Sequence, residues 1–462
     1  MHVKTRSSAG RRRAWRRAVP AAVLALCAAA GAEANTLYFQ MNPNYDLGGQ
    51  RQAFLFGAPN TTGTVTGSSG FSQTFDLGAQ GFALVSVPLA DQLTAGTVQN
   101  LGYKVQSSAA VSGYYLSRQN FTTDMSYLID GDKLGKDYVV AAYQNIYPDQ
   151  ISVQATVDNT TVTFRPKGAA AFDVTLNAGQ TYLYSASTSL TGSRVTATNP
   201  VTVFSGNQCT NVPTGVVACD HIVEQMPSVD VLSKSYLLSQ SPRTGSTGDV
   251  FRVVATVDNT QVSVNGSVVA TLAAGGYYEG RVTGGLRVEA SEKVLVAQYL
   301  IGEGEAGANT DPAMTVVPGS DAWLKSYVFA TPGGGADFPS DFISVLLKTS
   351  DLPSLKVAGT VANAALFNAL GSTGYSYGAI DVSATTGPFT VQADSPFQLL
   401  LMGFDDYDSY FTYGGAAFAP GASPPQPGTV PEPEGLGLLA LALAGMAAGR
   451  ALSRRRTGQP VA

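Results

Sequence analysis

Histidine is nearly missing from this chain: two of 462 residues, and only His221 beyond the first thirty-four. That excludes histidine-rich zinc sites such as the His-Glu-x-x-His pair. It also leaves a single candidate base for any nucleophile–histidine–acid triad. No Gly-x-Ser-x-Gly elbow and no phosphate-cradling loop is present. Cysteine is equally scarce. Cys209 and Cys219 are the two beyond residue 34, and outside the cytoplasm that spacing reads as a disulfide. The rival reading is a metal site with the adjoining Asp220 and His221, which lacks two further convincing ligands. Basic residues are few as well. Between Asn35 and Val430 there are 17 Lys and Arg against 30 Asp and Glu, a balance of −13 hidden by basic segments at both ends. Such a body has no electrostatic footprint for nucleic acid or anionic lipid. Helical periodicity is missing too, and long apolar runs occur only near the two ends.

Both ends read as addresses. Arg11, Arg12, Arg13, Arg16 and Arg17 precede the apolar stretch Ala18–Ala30, and Ala32-Glu33-Ala34 supplies a small-x-small cleavage pattern. Residues 1–34 are therefore expected to be a signal peptide cut between Ala34 and Asn35. The apolar run is short of the roughly 20 residues a membrane span needs. At the other end, residues 419–430 form a proline-rich spacer, which folds poorly and stays extended. Val430-Pro431-Glu432-Pro433, an apolar run from Gly435 to Gly449, and Arg454-Arg455-Arg456 follow in that order. Residues 431–462 thus resemble the PEP-CTERM sorting signal. The resemblance implies exosortase as the processing partner and a transient inner-membrane anchor, with the arginines held cytoplasmic. A permanent anchor is the alternative.

The body between them is β-rich. Period-2 alternation runs through Ile151–Val157 and Thr161–Phe164, joined by Asp158-Asn159-Thr160, which reads as a hairpin. The uncharged polar residues of such runs are expected on exposed faces. The pattern then repeats. VQATVDNTTVTF from Val153 to Phe164 is echoed by VVATVDNTQVSV from Val253 to Val264, and Tyr138, Tyr236 and Tyr327 each open a similar apolar run. Each unit ends on an expected strand pair: Tyr103–Leu116, Arg194–Gly206, Arg287–Leu300 and Phe389–Gly403. Four units are expected, over 35–120 (truncated), 121–210, 211–305 and 306–418 (diverged). The fold class is all-β, tandem antiparallel sandwich-like repeats, with a propeller built from the same repeats as the alternative.

Several segments resemble the N-terminal domain family of the IgG Fc-binding mucus protein. They are the Val153–Phe164 run with Asp158, Asn159 and Thr160, the Leu190–Gly206 region, and Cys209…Cys219-Asp220-His221-Ile-Val-Glu224-Gln225-Met-Pro227. The last is the most specific, since strand alternation does not explain it. The resemblance covers about Tyr114 to Pro332, extending more weakly to Gly414. It implies an extracellular, non-enzymatic β module for binding or adhesion, and carries over no antibody-binding residue.

Other chemistry rests on carboxylates. Asp405, Asp406 and Asp408 cluster on Gly403–Ser409 and are weak calcium candidates, without the twelve-residue loop pattern or a closing glutamate. Asp405 and Asp408 also suit a glycosidase reading, which needs two carboxyls facing across a cleft. Tyr407, Tyr410, Phe411 and Tyr413 nearby suit either sugar stacking or a packed terminal strand. The expected role is a non-catalytic surface or matrix protein, without a cofactor, binding exopolysaccharide or a surface protein. The alternatives are a polysaccharide-acting enzyme and a purely structural matrix component.

Overall fold

The computed structural model describes residues 34–45, 48–332 and 338–418. The expected sorting tail, its spacer and the signal peptide other than Ala34 lie outside the described residues. Two neighbouring runs show how alternation becomes layers. In Thr160–Arg165, Val162 and Phe164 are buried while Thr161 and Thr163 are only partly so. That strand pairs with Phe172–Leu176 and Arg194–Ala197. Asp149–Ala155 is buried at every position and pairs instead with Thr181–Ala186 and Val201–Thr210. The two runs therefore belong to different sheets, and the expected hairpin is a passage from one layer to the other. Its turn is built by the residues read from sequence. Asn159 takes the left-handed φ of 54°, the Asp158 carboxylate accepts the Ala178 N–H at 3.0 Å, and the Thr160 hydroxyl donates to the Val157 carbonyl at 2.9 Å. Asn259, Asp258 and Thr260 repeat the arrangement one unit on.

Four such two-layer units follow along the chain, with strands spanning 36–127, 137–225, 233–316 and 324–413. These limits run past the expected boundaries at 120, 210 and 305, because each unit's last strand hydrogen-bonds to the strand before it. The first unit has its own two four-stranded sheets, so it is not truncated. The expected closing pairs are chain segments that change layer. In the first two units a break separates Tyr103–Ser107 from Val111–Gln119, and Arg194–Ala197 from Val201–Thr210. In the last two, single strands Gly285–Tyr299 and Phe389–Asp405 pair with one layer in their first half and the other layer in their second.

The repeated tyrosines pin this change of layer. The Tyr138 hydroxyl donates to the Val201 carbonyl at 2.7 Å and accepts the Gly135 N–H at 2.8 Å. Tyr236 does the same with the Val294 carbonyl at 2.5 Å and the Ser233 N–H at 2.9 Å. Tyr327 repeats it with the Phe397 carbonyl and the Leu324 N–H. Each satisfies backbone groups that a strand leaving its sheet would orphan.

The four sandwich-like units stand around a common axis in a four-bladed, propeller-like arrangement. Both expected descriptions therefore hold, at different levels. The innermost strands, Thr122–Tyr127, Asp220–Gln225, Met314–Val316 and Asp408–Tyr413, contact one another at the axis. The ring closes between last unit and first: the Tyr114 hydroxyl donates to the Gly414 carbonyl at 2.8 Å, and the Tyr127 and Tyr413 rings lie 5.0 Å apart.

Polar residues expected to face solvent lie instead in the seams between units. Gln150, Ser152 and Gln154 are buried, and reach Pro43, Gln40 and Tyr103 of the first unit. Arg252 of the third unit bonds the Thr191 hydroxyl of the second at 2.9 Å, and Gln398 of the fourth bonds the Leu237 carbonyl of the third at 3.0 Å. Inner strands face two interiors, so their polar face is a docking face. Replacing Tyr236 by Phe leaves the Val294 carbonyl and Ser233 N–H unpaired in the interior. The expected loss is about 1–3 kcal/mol, read as a lower urea midpoint with unchanged slope.

Candidate functional site

At the axis one side chain touches all four units. Asp124 is fully buried on the first innermost strand. Its Oδ1 accepts the N–H groups of Met125 at 2.9 Å and Phe411 at 3.1 Å, and its Oδ2 accepts those of Val223 at 3.0 Å and Met314 at 3.1 Å. Burial pushes its carboxyl pKa well up, and the backbone amides oppose that. Four N–H donors leave no acceptor for a carboxyl proton, so the geometry accommodates the charged form. Sequence reading did not single out Asp124. Its one signal was an acid inside the otherwise polar–apolar strand run Thr122–Tyr127.

The residues of the most specific motif lie beside it. Asp220–Gln225 is the second innermost strand and is buried throughout. The Glu224 carboxylate accepts the Ser126 hydroxyl at 2.6 Å, Gln225 Oε1 accepts the Ile129 N–H at 2.8 Å, and the Gln225 N–H donates to Ser126 at 2.8 Å. Burial, first of all, raises the Glu224 pKa well above the carboxylate range. His221 lies against the Asn207 carbonyl, 2.9 Å from Nδ1, and burial drives its pKa down to about 3. It is a neutral, walled-in side chain that fixes the strand. Pro227 is buried where the chain leaves the axis. Cys209 and Cys219 form the disulfide, closing the loop that leads into this strand.

The four innermost strands begin at the same end of the axis, where three acids gather. Asp220, Asp311 and Asp408 are all buried. Asp408 accepts the Thr123 hydroxyl at 3.1 Å, and the Asp311 N–H donates to the Ser409 hydroxyl at 2.8 Å. Burial, then the Asp408 and Glu303 charges, pushes the Asp311 carboxyl up to about 8. Burial likewise brings Asp408 to about 7. Asp405 and Asp406 stay at the turn above, Asp405 partly exposed and Asp406 exposed. The expected trio of Asp405, Asp406 and Asp408 is thus divided between surface and interior. Among the described residues no three His, Cys, Asp or Glu side chains form a group able to hold a metal ion. Tyr410, Phe411 and Tyr413 are core residues, while Tyr407 is exposed.

Three comparisons bear on this arrangement. The family model described as IgGFc binding protein matches residues 124–403, beginning at the axial aspartate. A human IgGFc-binding protein is 23% identical over 350 residues, covering 71% of this chain and 6% of the relative's length. The chain thus spans a small part of that relative. Among solved structures, an ice-binding Ca2+-stabilized adhesin of an Antarctic bacterium is 12% identical, with a TM-score of 0.12 over 83% of this chain and 99% of its own. A marsupial T cell receptor reaches 9% identity and a TM-score of 0.09, over 83% of this chain and 99% of its own. Likenesses this slight carry no argument.

The raised carboxyls set a pH dependence. Asp311 and Asp408 are easier to keep neutral in the fold than in the unfolded chain. Their contribution is therefore complete below the ordinary carboxylate range and lost as pH rises through 7 and 8. Urea midpoints are expected to fall from about pH 4 to about pH 8 and to level off above that. Asp311→Asn should flatten that fall, because the amide stays neutral throughout.

Proposed function

The chain belongs to the IgGFc-binding protein family, and from that premise we propose a non-catalytic binding module of the outer surface or extracellular matrix that holds a surface protein or a polysaccharide. The observation that carries this reading is the fate of the motif Asp220–Pro227: its acids and its histidine are buried around the axis, where they join the units. The loops that connect the innermost strands are left to meet a partner, as loops on a rigid β scaffold commonly do. Fc binding is what the human relative's name says of that protein. The partner of this chain is identified by the chemistry of its own surface.

The polysaccharide-acting alternative draws less support. Asp408 is buried and bonded to Thr123, while Asp405 sits at the turn. A glycosidase pair needs both carboxyls facing one cleft. Export is supported by the disulfide, which persists in oxidising compartments. In this reading the chain is anchored briefly in the inner membrane by its C-terminal apolar run, cut by exosortase near Pro431-Glu432-Pro433, and released to the outside.

Labelled full chain added to producer cells that lack it is expected to bind saturably, and to be competed by unlabelled chain. If neither the cells nor their isolated polymer retain it, the binding reading fails. A matrix defect on deletion without saturable binding also overturns it, in favour of a purely structural component.

A further inference from the structure

Two hairpins at the acidic end of the axis carry the same anomaly. The turn between Val111–Gln119 and Thr122–Tyr127 is Asn120-Phe121, and that between Phe389–Asp405 and Asp408–Tyr413 is Asp406-Tyr407. In both, the second turn residue is left-handed, with φ of 62° at Phe121 and 55° at Tyr407. Glycine or asparagine normally fills such a position, and a bulky aromatic there is disfavoured. Neither ring gains burial in return, since Phe121 is 61% and Tyr407 46% exposed. The hairpins are neighbours, because Thr123 at the base of one bonds Asp408 at the base of the other. Strain that brings no packing is a mark of a contact surface.

The surroundings define what that surface meets. Asp405 ends the strand that enters the Tyr407 turn, and Asp406 lies on the turn itself. Beneath it, Asp220 Oδ2, Asp311 Oδ1 and Asp408 Oδ1 are buried oxygens without a hydrogen-bond partner. Beside these, the disulfide-closed loop raises Val217, 82% exposed. At its base Asn145 bonds the Asn211 carbonyl, which brings exposed Ile146 to the same end.

We propose that this end of the axis, with Phe121 and Tyr407 as anchors, docks an arginine- or lysine-rich segment of a partner protein. Aromatic faces beside carboxylates suit guanidinium and ammonium groups, which gain cation–π and charge-assisted contacts together. The body's excess of acids over bases complements a basic partner and repels an acidic one. Val217 and Ile146 favour protein over glycan, because aliphatic tips pack against side chains but leave sugar hydroxyls unpaired. This rests on the binding-module reading and names its site and partner chemistry.

The test uses full chain and the double variant Phe121→Asn with Tyr407→Asn. Asparagine accepts the left-handed backbone but removes both rings. Binding of an octa-arginine peptide is followed by fluorescence anisotropy at low and physiological salt, beside chitosan oligomers as a cationic glycan. The double variant is expected to bind the peptide about tenfold more weakly, with a thermal midpoint unchanged or higher. Asp405→Asn with Asp406→Asn should weaken binding too, whereas Asp76→Asn on an outer strand should not. Undiminished peptide binding by the aromatic variant overturns the proposal. So does a lowered thermal midpoint, which would make the rings structural. Chitosan binding with the same dependence on the two rings would assign the face to a glycan instead. If the double variant still binds producer cells as the unmodified chain does, this face falls while the binding-module reading stands.

Discussion

Four backbone N–H groups from four different units converge on the Asp124 carboxylate, and the ring of repeats depends on that convergence. Strands that meet edge-on at an axis have no neighbour to complete their ladders. Their inward amides would be buried without acceptors, at a cost that grows with each unit. One ionised carboxyl, offering about four acceptor sites, answers all four. Ser126 and Thr412 extend the principle along the axis, each accepting an N–H from a neighbouring innermost strand, and Gln225 accepts the Ile129 N–H just past the end of one. The same need explains why charged and polar side chains occupy the most buried place in the molecule. They are what makes burial of those edges tolerable.

A second consequence is the double interior of the inner strands. One face of Asp149–Ala155 sends Ile151 and Val153 into its own unit's core, while the other sends Gln150, Ser152 and Gln154 into a hydrogen-bonded seam with the first unit. Apolar cores hold each unit together, and directional polar contacts set how the units are placed. Polar seams suit a ring, because hydrogen bonds fix relative orientation where hydrophobic contact alone would let units slide. What remains outside, the loops around the axis, is then displayed on a stiff frame.

Much of this was written legibly in the sequence. The Val-Asp-Asn-Thr turns, the recurring tyrosines and the paired cysteines each have a local cause, so each could be read without coordinates. The repeat itself followed from VQATVDNTTVTF and its echo, since a two-layer unit must recur if it is built by recurring turns. The misreadings share one physical origin. Period-2 alternation says that two faces differ, but not that the polar one is wet. Hence the alternation predicts Ser152 and Gln154 at the surface, and reads the runs flanking Asp158 as partners in one sheet. Asp124 escaped notice because its significance lies in amides about 100 to 290 residues away, a relation no local pattern encodes. In the motif Asp220–Pro227 sequence marked the right residues, but their shared task around the axis emerged only from the packing.

Asp124 is the contact that links the four units, and amide hydrogen exchange reads that link. In the native chain the N–H groups of Met125, Val223, Met314 and Phe411 are expected to be among the slowest to exchange, with closely matched rates. In the Asp124→Asn variant, whose side-chain amide cannot accept from all four, every one of them should exchange faster together. If only Met125 and its own unit respond while the other three keep their protection, the units are held by their seams, and the axial carboxylate is not what joins them.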